Sequence, residues 1–168
     1  MHSELTTWIS APPDAVFPLV ADIARWPEHL PHYLYVRILS RSGSETVAAM
    51  SARRGLIPVF WGAVQSVDRS ARRIRFRHVR GITRGMEVLW TLDEEDGGTR
   101  ATVAHDLDLA WPLIGPWFAR HVIEAGFIRP IASRTLRCFK ALAEAQVTQA
   151  ETRAATAPAP AAAMGAST

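Results

Sequence analysis

The longest helix-compatible run in the sequence extends from Leu113 to about Gln149, and it constrains the fold more than any other stretch. Apolar residues recur along it at intervals of three or four, which places them on one face of a helix. The stripe consists of Ile114, Phe118, Val122, Ile128, Ala132, Leu136, Phe139 and Ala143. Such a stripe must be buried, so the rest of the chain has to supply a covering surface. Pro130 interrupts the run and crowds the carbonyl of Gly126, which predicts a kink or a two-segment helix there.

The hundred residues before this run supply the covering surface as a series of short strands. Apolar residues alternate with arginines over residues 73–78, and turn residues separate this segment from its neighbours. The pattern predicts six consecutive antiparallel strands between residues 33 and 109, preceded by one strand over residues 4–10 and two short helices. We therefore expect an α+β helix-grip fold, β-α-α-β6-α, in which a seven-stranded curved sheet wraps a long C-terminal helix.

Length and composition predict a single domain over residues 1–150. Residues 151–168 are rich in alanine and proline and hold few large apolar groups, so we expect them to form a disordered tail. No apolar run approaches the roughly 20 residues of a membrane span, and no secretory signal is recognisable, which favours a cytoplasmic location. The sequence leaves open whether the protein is a monomer or a homodimer.

The net charge of +3 and the pI near 9.7 raise the question of nucleic-acid binding. The arginines, however, are dispersed along the chain and interleaved with acidic residues rather than clustered. We therefore expect no nucleic-acid partner.

Several motifs carry a family resemblance. Residues 9–17 read Ile-Ser-Ala-Pro-Pro-Asp-Ala-Val-Phe, and residues 20–28 read Val-Ala-Asp-Ile-Ala-Arg-Trp-Pro-Glu. Tyr33 follows, and Met-Glu-Val-Leu-Trp at 86–90 precedes Gly-Gly-Thr-Arg at 97–100. With this order of elements, residues 3–146 resemble the START-like (SRPBCC) helix-grip superfamily and, within it, the single-domain polyketide cyclase/aromatases.

The resemblance implies an apolar pocket between sheet and helix that folds a poly-β-ketone while polar residues assist enolisation and dehydration. Tyr33 matches a pocket tyrosine of these cyclases, and Trp61 matches an aromatic wall position. Gln65 and Ala63 stand where the cyclases carry a catalytic arginine and a nearby serine, so the arginine is not carried over. The resemblance implies no cofactor, a hydrophobic polyketide or lipid-like ligand, and an acyl carrier protein as a candidate partner. A non-catalytic carrier or sensor of a lipid or quinone is the alternative.

Strand alternation selects the residues that point at the interior. Three polar groups, Gln65, His78 and His105, fall on otherwise apolar inward positions. Because a histidine titrates near neutral pH, His78 and His105 are candidate acid/base groups, with Tyr33 as a third candidate catalytic residue. Residues expected to line the ligand site are Arg53, Trp61, Gln65, Phe76, Met86, Trp90, Phe118, Val122 and Phe127.

Each candidate also has a simpler interpretation. The histidines fit core residues satisfied by a neighbouring carbonyl or hydroxyl, and Tyr33 fits a packing aromatic. Arg53 faces the ligand only if it shares the inward parity of Val47, Ala49 and Ser51; otherwise it is an exposed strand-end charge. No spacing of histidine, cysteine and acidic residues predicts a metal site.

Overall fold

A computed structural model of the chain describes residues 2–107 and 125–156. These residues form seven strands and three α-helices, with a 3₁₀ turn at Ile23–Arg25. The elements are β1 (His2–Ile9), α1 (Pro13–Ala21), α2 (Trp26–His29), β2 (Tyr33–Ser42), β3 (Glu45–Arg54), β4 (Ile57–Asp68), β5 (Arg73–Gly81), β6 (Glu87–Glu95), β7 (Gly98–Asp106) and α3 (Arg129–Thr156). This order confirms the predicted α+β helix-grip fold.

The seven strands form one antiparallel sheet in the order β1-β7-β6-β5-β4-β3-β2. Each strand from β2 to β7 pairs with its sequence neighbour, because the connections between them are short turns. β1 closes the other edge against β7, with Ile9 opposite Thr99. The sheet curves around α3, which packs against β1, α1 and β3.

The described part of the predicted helical stripe is buried. Its members Ile128, Ala132, Leu136, Phe139 and Ala143 are all buried, whereas Ile114, Phe118 and Val122 lie outside the described residues. Arg129, Arg134 and Arg137 on the opposite face are exposed. The helix is thus amphipathic in the sense that the sequence predicts.

The start of the long helix is irregular. Residues 125–128 form a π-helical turn, and regular α-helix begins only at Arg129. Pro130 has no backbone N–H to give to Gly126, and its ring crowds that carbonyl, so the backbone widens here instead of continuing as α-helix. At its other end α3 continues to Thr156, six residues beyond the expected boundary at residue 150. Residues 157–168 of the expected tail lie outside the described residues.

A cluster of aromatic rings ties the sheet to the helices. The Trp26 ring lies 5.1 Å from Tyr33, 5.7 Å from Phe76 and 5.6 Å from Phe139, measured between centroids. Its indole Nε1 donates a 3.1 Å hydrogen bond to the Val20 carbonyl, which satisfies the buried polar atom. Trp26 therefore joins α1, α2, β2, β5 and α3 at one point, which becomes the floor of the cavity described below.

No helix within residues 2–107 and 125–156 is long and apolar enough to cross a membrane.

Candidate functional site

An internal cavity of about 90 Å³ lies between the inner face of the sheet and the first turns of α3. Most of its walls are aromatic or aliphatic, and the polar groups among them are few. Eight of the residues that the sequence nominates line it: Tyr33, Trp61, Phe76, His78, Met86, Trp90, His105 and Phe127. The cavity brings all three candidate catalytic residues to one place.

Strand register explains why these residues converge. In the antiparallel pairs, residues directly opposite each other share a face of the sheet. Met50 lies opposite Trp61, and Val88 lies opposite both Phe76 and His105. A continuous row of inward side chains therefore runs across β3 to β7, and α3 covers it only in part.

His78 is held by two neighbours. Its Nδ1 lies 2.7 Å from the hydroxyl oxygen of Thr83, and its ring stacks on Trp61 with an interplanar angle of 13°. Burial, and to a lesser extent the nearby His105, lowers the pKa of His78 to about 3. His78 is therefore neutral at pH 7, and Nε2 is the ring nitrogen that Thr83 leaves available to a ligand.

His105 on β7 is also neutral at pH 7. Burial lowers its pKa to about 4, although Asp106 and the Ser3 backbone oppose the shift. The near-neutral titration expected from the sequence is therefore wrong for both histidines, because desolvation disfavours the imidazolium form. Each ring can instead offer one N–H as a donor and one bare nitrogen as an acceptor.

Tyr33 belongs to a polar network that the sequence did not reveal. Burial raises the pKa of Tyr33 well above its usual range, while an interaction with the Thr135 hydroxyl partly offsets the effect. Thr135 donates to the Ile131 carbonyl at 2.9 Å, and its oxygen lies 2.9 Å from Nε2 of the buried His32. Because the Thr135 proton is committed to Ile131, His32 Nε2 is the donor in that pair. Burial, rather than this network, keeps the Tyr33 hydroxyl protonated at pH 7.

The polar residues of the site that sequence reasoning missed are Thr83, Thr135 and His32. Thr83 and Thr135 line the cavity, whereas His32 lies behind Tyr33 with its pKa lowered to about 4 by burial, Arg134 and Arg137. The contact between His32 and Thr135 joins residues 103 positions apart, so no local pattern announces it.

Two predicted lining residues lie elsewhere. Gln65 is buried and inward, but its Nε2 donates a 2.8 Å hydrogen bond to the Ala21 carbonyl and does not reach the cavity. Arg53 is exposed, because Ala48, Met50 and Ala52 are the inward residues of β3 and the assumed parity is off by one. Phe118 and Val122 lie outside the described residues.

Within the described residues, no group of three histidine, cysteine, aspartate or glutamate side chains could hold a metal ion. The chemistry available to the cavity residues is hydrogen-bond donation from Tyr33 and proton exchange at two neutral imidazoles, in mostly apolar surroundings. A low-dielectric wall strengthens such hydrogen bonds toward a carbonyl oxygen that gains negative charge.

The chain is similar in sequence to known polyketide cyclases and dehydratases. A family model described as polyketide cyclase / dehydrase and lipid transport matches residues 9–123. The bifunctional cyclase/dehydratase of the granaticin polyketide synthase of Streptomyces violaceoruber is 32% identical over 113 residues, which are 65% of this chain and 35% of that protein. The chain thus spans about a third of that relative's length.

Two solved structures share the fold. The Zhui aromatase/cyclase of Streptomyces sp. R1128 superposes with a TM-score of 0.77 at 22% identity, covering 88% of this chain and 95% of the other. A protein of Thermus thermophilus superposes with a TM-score of 0.75 at 21% identity, covering 87% and 99%. At these identities the similarity establishes the fold alone.

Proposed function

Because this chain belongs to the polyketide cyclase / dehydrase and lipid transport family, we propose that it binds a polyketide in its cavity and promotes cyclisation and dehydration. The observation that carries the proposal is the convergence of Tyr33, His78 and His105 on one apolar space. A ligand rich in ketones needs hydrogen-bond donors at its oxygens and apolar contact along its carbons, and this wall offers both.

The proposed reaction begins with loss of a proton from a methylene group between two ketones. The Tyr33 hydroxyl and an imidazole N–H donate to the ketone oxygens, which stabilises the enolate, and a bare imidazole nitrogen accepts the proton. A pKa of about 3 or 4 makes an isolated imidazole a weak base. The negative charge that develops on the enolate raises the pKa of the imidazole beside it, so proton transfer becomes more favourable as the reaction proceeds.

The ring then forms by attack of the enolate carbon on a second ketone carbon. A carbon–carbon bond forms, and the ketone oxygen takes up the proton held by the imidazolium. Loss of a neighbouring proton and of that hydroxyl group as water leaves a conjugated ring. The protein's contribution is to bring the two carbons together and to return the proton at the right oxygen.

The size of the cavity bears on how the ligand binds. A volume of about 90 Å³ is below the roughly 300–1,000 Å³ of sites for drug-sized ligands, so lining side chains must move when a polyketide enters. Trp61, Phe127 and Ile131 are only half-buried and have room to do so. The cavity then encloses only the reacting segment of a longer polyketide.

The test is to incubate the purified protein with a minimal synthase that makes a poly-β-ketone and to compare the products. Tyr33→Phe and His78→Ala are expected to shift product toward spontaneously cyclised compounds by at least tenfold. Tyr35→Phe and His29→Ala are the matched controls, because Tyr35 and His29 do not line the cavity. Unchanged products with the wild-type protein, or equal shifts in the controls, would contradict the enzymatic proposal.

A non-catalytic carrier of an apolar molecule is the second candidate. Gln65 at the position of the cyclase arginine supports it, since Gln65 holds the end of α1 and adds no charge to the cavity. A carrier would bind the ligand, protect it from solvent and release it unchanged. Ligand binding that survives His78→Ala, without any product change in the synthase assay, distinguishes this role from catalysis.

The proposed partner that delivers the substrate is an acyl carrier protein. Arg73, Arg75 and Arg77 are exposed on one strand and form a cationic row suited to an acidic partner. The triple Arg→Gln variant is expected to weaken binding of the carrier protein, in a salt-dependent manner, and to leave binding of a free aromatic ketone unchanged.

A further inference from the structure

Large apolar side chains are exposed together at one end of the sheet. Four of them define what we call the apolar tip: Leu56, Ile57, Phe60 and Ile82. Leu56, at 96% exposed, lies in the turn between β3 and β4, where a polar residue would serve the turn equally well. Single exposed apolar residues are ordinary, but a contiguous group marks a binding surface.

The turn between β3 and β4 and the loop after β5 bring the residues of the tip together. Arg54 pairs with Ile57 to close the β3–β4 hairpin, and Gly55 takes up a positive φ of 59° in its turn. Trp61 pairs with Gly81, which brings the loop after β5 against β4. A Cβ at Gly81 would collide with the Phe60 carbonyl, so this close approach requires glycine. Phe60 of β4 and Ile82 of the loop after β5 are therefore close together.

The charge around the tip is of one sign. Residues 53–60 and 80–85 contain Arg53, Arg54, Arg80 and Arg84 and no acidic residue. None of these arginines takes part in an ion pair among the described residues. A second copy of the chain would bring four like charges against these four, which disfavours self-association through the tip. An anionic surface with an apolar layer beneath it fits both features.

The tip adjoins the cavity. Val59 and Thr83 line the cavity, and their immediate neighbours Phe60 and Ile82 belong to the tip. Arg54 lies over the ring of the cavity residue Phe127, with its guanidinium carbon 6.0 Å from the centroid. Whatever the tip contacts is therefore placed beside the cavity wall.

We propose that the apolar tip inserts into the interfacial layer of a bilayer containing anionic lipid, with the four arginines at the level of the headgroups. The exposed apolar side chains of the tip gain free energy on leaving water, and each arginine near an anionic membrane adds electrostatic attraction. The contact is peripheral and places the cavity wall against the membrane surface. It goes beyond the proposed cyclisation and does not depend on catalysis.

The test measures co-sedimentation of the full chain with vesicles of phosphatidylcholine alone and of phosphatidylcholine with 30% phosphatidylglycerol. We expect at least tenfold stronger partitioning onto the anionic vesicles, and a loss of most of that difference at high salt. Leu56→Ser combined with Ile57→Ser is expected to reduce partitioning at least tenfold. Leu39→Ser is the matched control, because Leu39 is an exposed leucine of β2 outside the tip.

A second pair of double variants tests the contribution of the arginines. Arg53→Gln with Arg54→Gln is expected to reduce partitioning onto anionic vesicles several-fold, whereas Arg37→Gln with Arg41→Gln, on exposed positions of β2, leaves it unchanged. Circular dichroism checks that each variant is folded.

Several results would overturn the proposal. They are absence of binding to either vesicle, equal binding to both, and undiminished binding by the Leu56/Ile57 variant. A dimer in sedimentation equilibrium that the same variant dissociates, without vesicle binding, would identify the tip as a self-association surface. Binding of an acidic carrier protein through the tip, again without vesicle binding, would assign the surface to a protein partner.

Discussion

The sheet and the long helix meet in two different ways at their two ends. Under α1 and the C-terminal half of α3 the interior is closed by aliphatic side chains. Ile9, Val16, Val20 and Ala143 are completely inaccessible there. The polar side chains at this end bond to backbone, as Thr99 does in donating to the Ala11 carbonyl at 2.7 Å. We call this region the packed end.

At the other end, aromatic and polar side chains stand among the aliphatic ones. His78, His105, Tyr33 and Thr135 face one another across a space of about 90 Å³. The side chains of this end leave a void between them. We call this region the cavity end. One continuous sheet thus carries a filled core at one end and a cavity with polar side chains at the other.

Removing the ring of Phe139 is expected to have the largest effect. Phe139 is 1% exposed and contacts Trp26 and Trp90, so Phe139→Ala should cost about 3–5 kcal/mol in the free energy of unfolding. Phe127→Ala, at the half-buried rim of the cavity, should cost less than about 2 kcal/mol. Urea unfolding measures both. Equal costs would show that the rim of the cavity is packed as tightly as the buried aromatic cluster.

The second effect is acid destabilisation that originates at the cavity end. His32, His78 and His105 have pKa values of about 4, 3 and 4 when folded, below the ordinary 6.5 of the unfolded chain. Between pH 6.5 and 4 the unfolded state binds more protons, so stability is fully present above pH 6.5 and is lost as the pH falls. Each histidine contributes a slope of up to about 1.4 kcal/mol per pH unit.

Unfolding midpoints at several pH values measure that slope. His105→Gln should reduce this slope, because it removes one of the three buried imidazoles. A flat profile from pH 7 to 5 would mean that the imidazoles are not desolvated.

A third effect compares one substitution at the two ends. Ala143 is inaccessible, and Ala143→Leu should cost about 1–3 kcal/mol because the packed end has no room. Ala132 lines the cavity, and Ala132→Leu should cost less than about 1 kcal/mol because the added atoms enter the void. Thermal unfolding of both variants measures this difference in stability. A larger loss of stability for Ala132→Leu than for Ala143→Leu would reverse the assignment of the two ends.

The smallest effect concerns the Thr135 network. Thr135→Val removes the acceptor of His32 and should cost about 1–2 kcal/mol, whereas Thr135→Ser keeps the hydroxyl and should restore most of the stability. Nitrogen-15 spectra of the His32 ring report whether Nε2 carries the proton. A bare Nε2 in the wild-type protein would contradict the inferred direction of this hydrogen bond.

The sequence predicted the residues of the cavity end only where polar and apolar residues alternate clearly along a strand. In β5 arginines alternate with Ile74, Phe76 and His78, so the inward face was legible and His78 was assigned to it. In β3 the residues from Ala48 to Ala52 are mostly small and do not alternate between polar and apolar. The prediction that Arg53 points into the site was wrong for this reason.

Long-range contacts were beyond any local pattern. His32 follows Pro31 in the sequence, yet its side chain is completely buried and contacts the Thr135 hydroxyl of α3. Gln65 was correctly placed on the inward face, but the carbonyl that satisfies it belongs to Ala21, 44 residues away. The fold follows from periodicity, whereas hydrogen-bond partners follow from tertiary packing, which periodicity does not encode.

The most direct test of the cavity's role is whether filling it abolishes ligand binding. Binding of acetophenone, a single ring with one ketone, can be followed by nuclear magnetic resonance titration in the wild-type protein, in Ala132→Leu and in Ala141→Leu. Ala141 lies on the exposed face of the same helix and receives the same substitution. We expect Ala132→Leu to weaken binding at least tenfold and Ala141→Leu to leave it unchanged. Equal affinity in all three proteins would contradict the claim that the cavity is the ligand site.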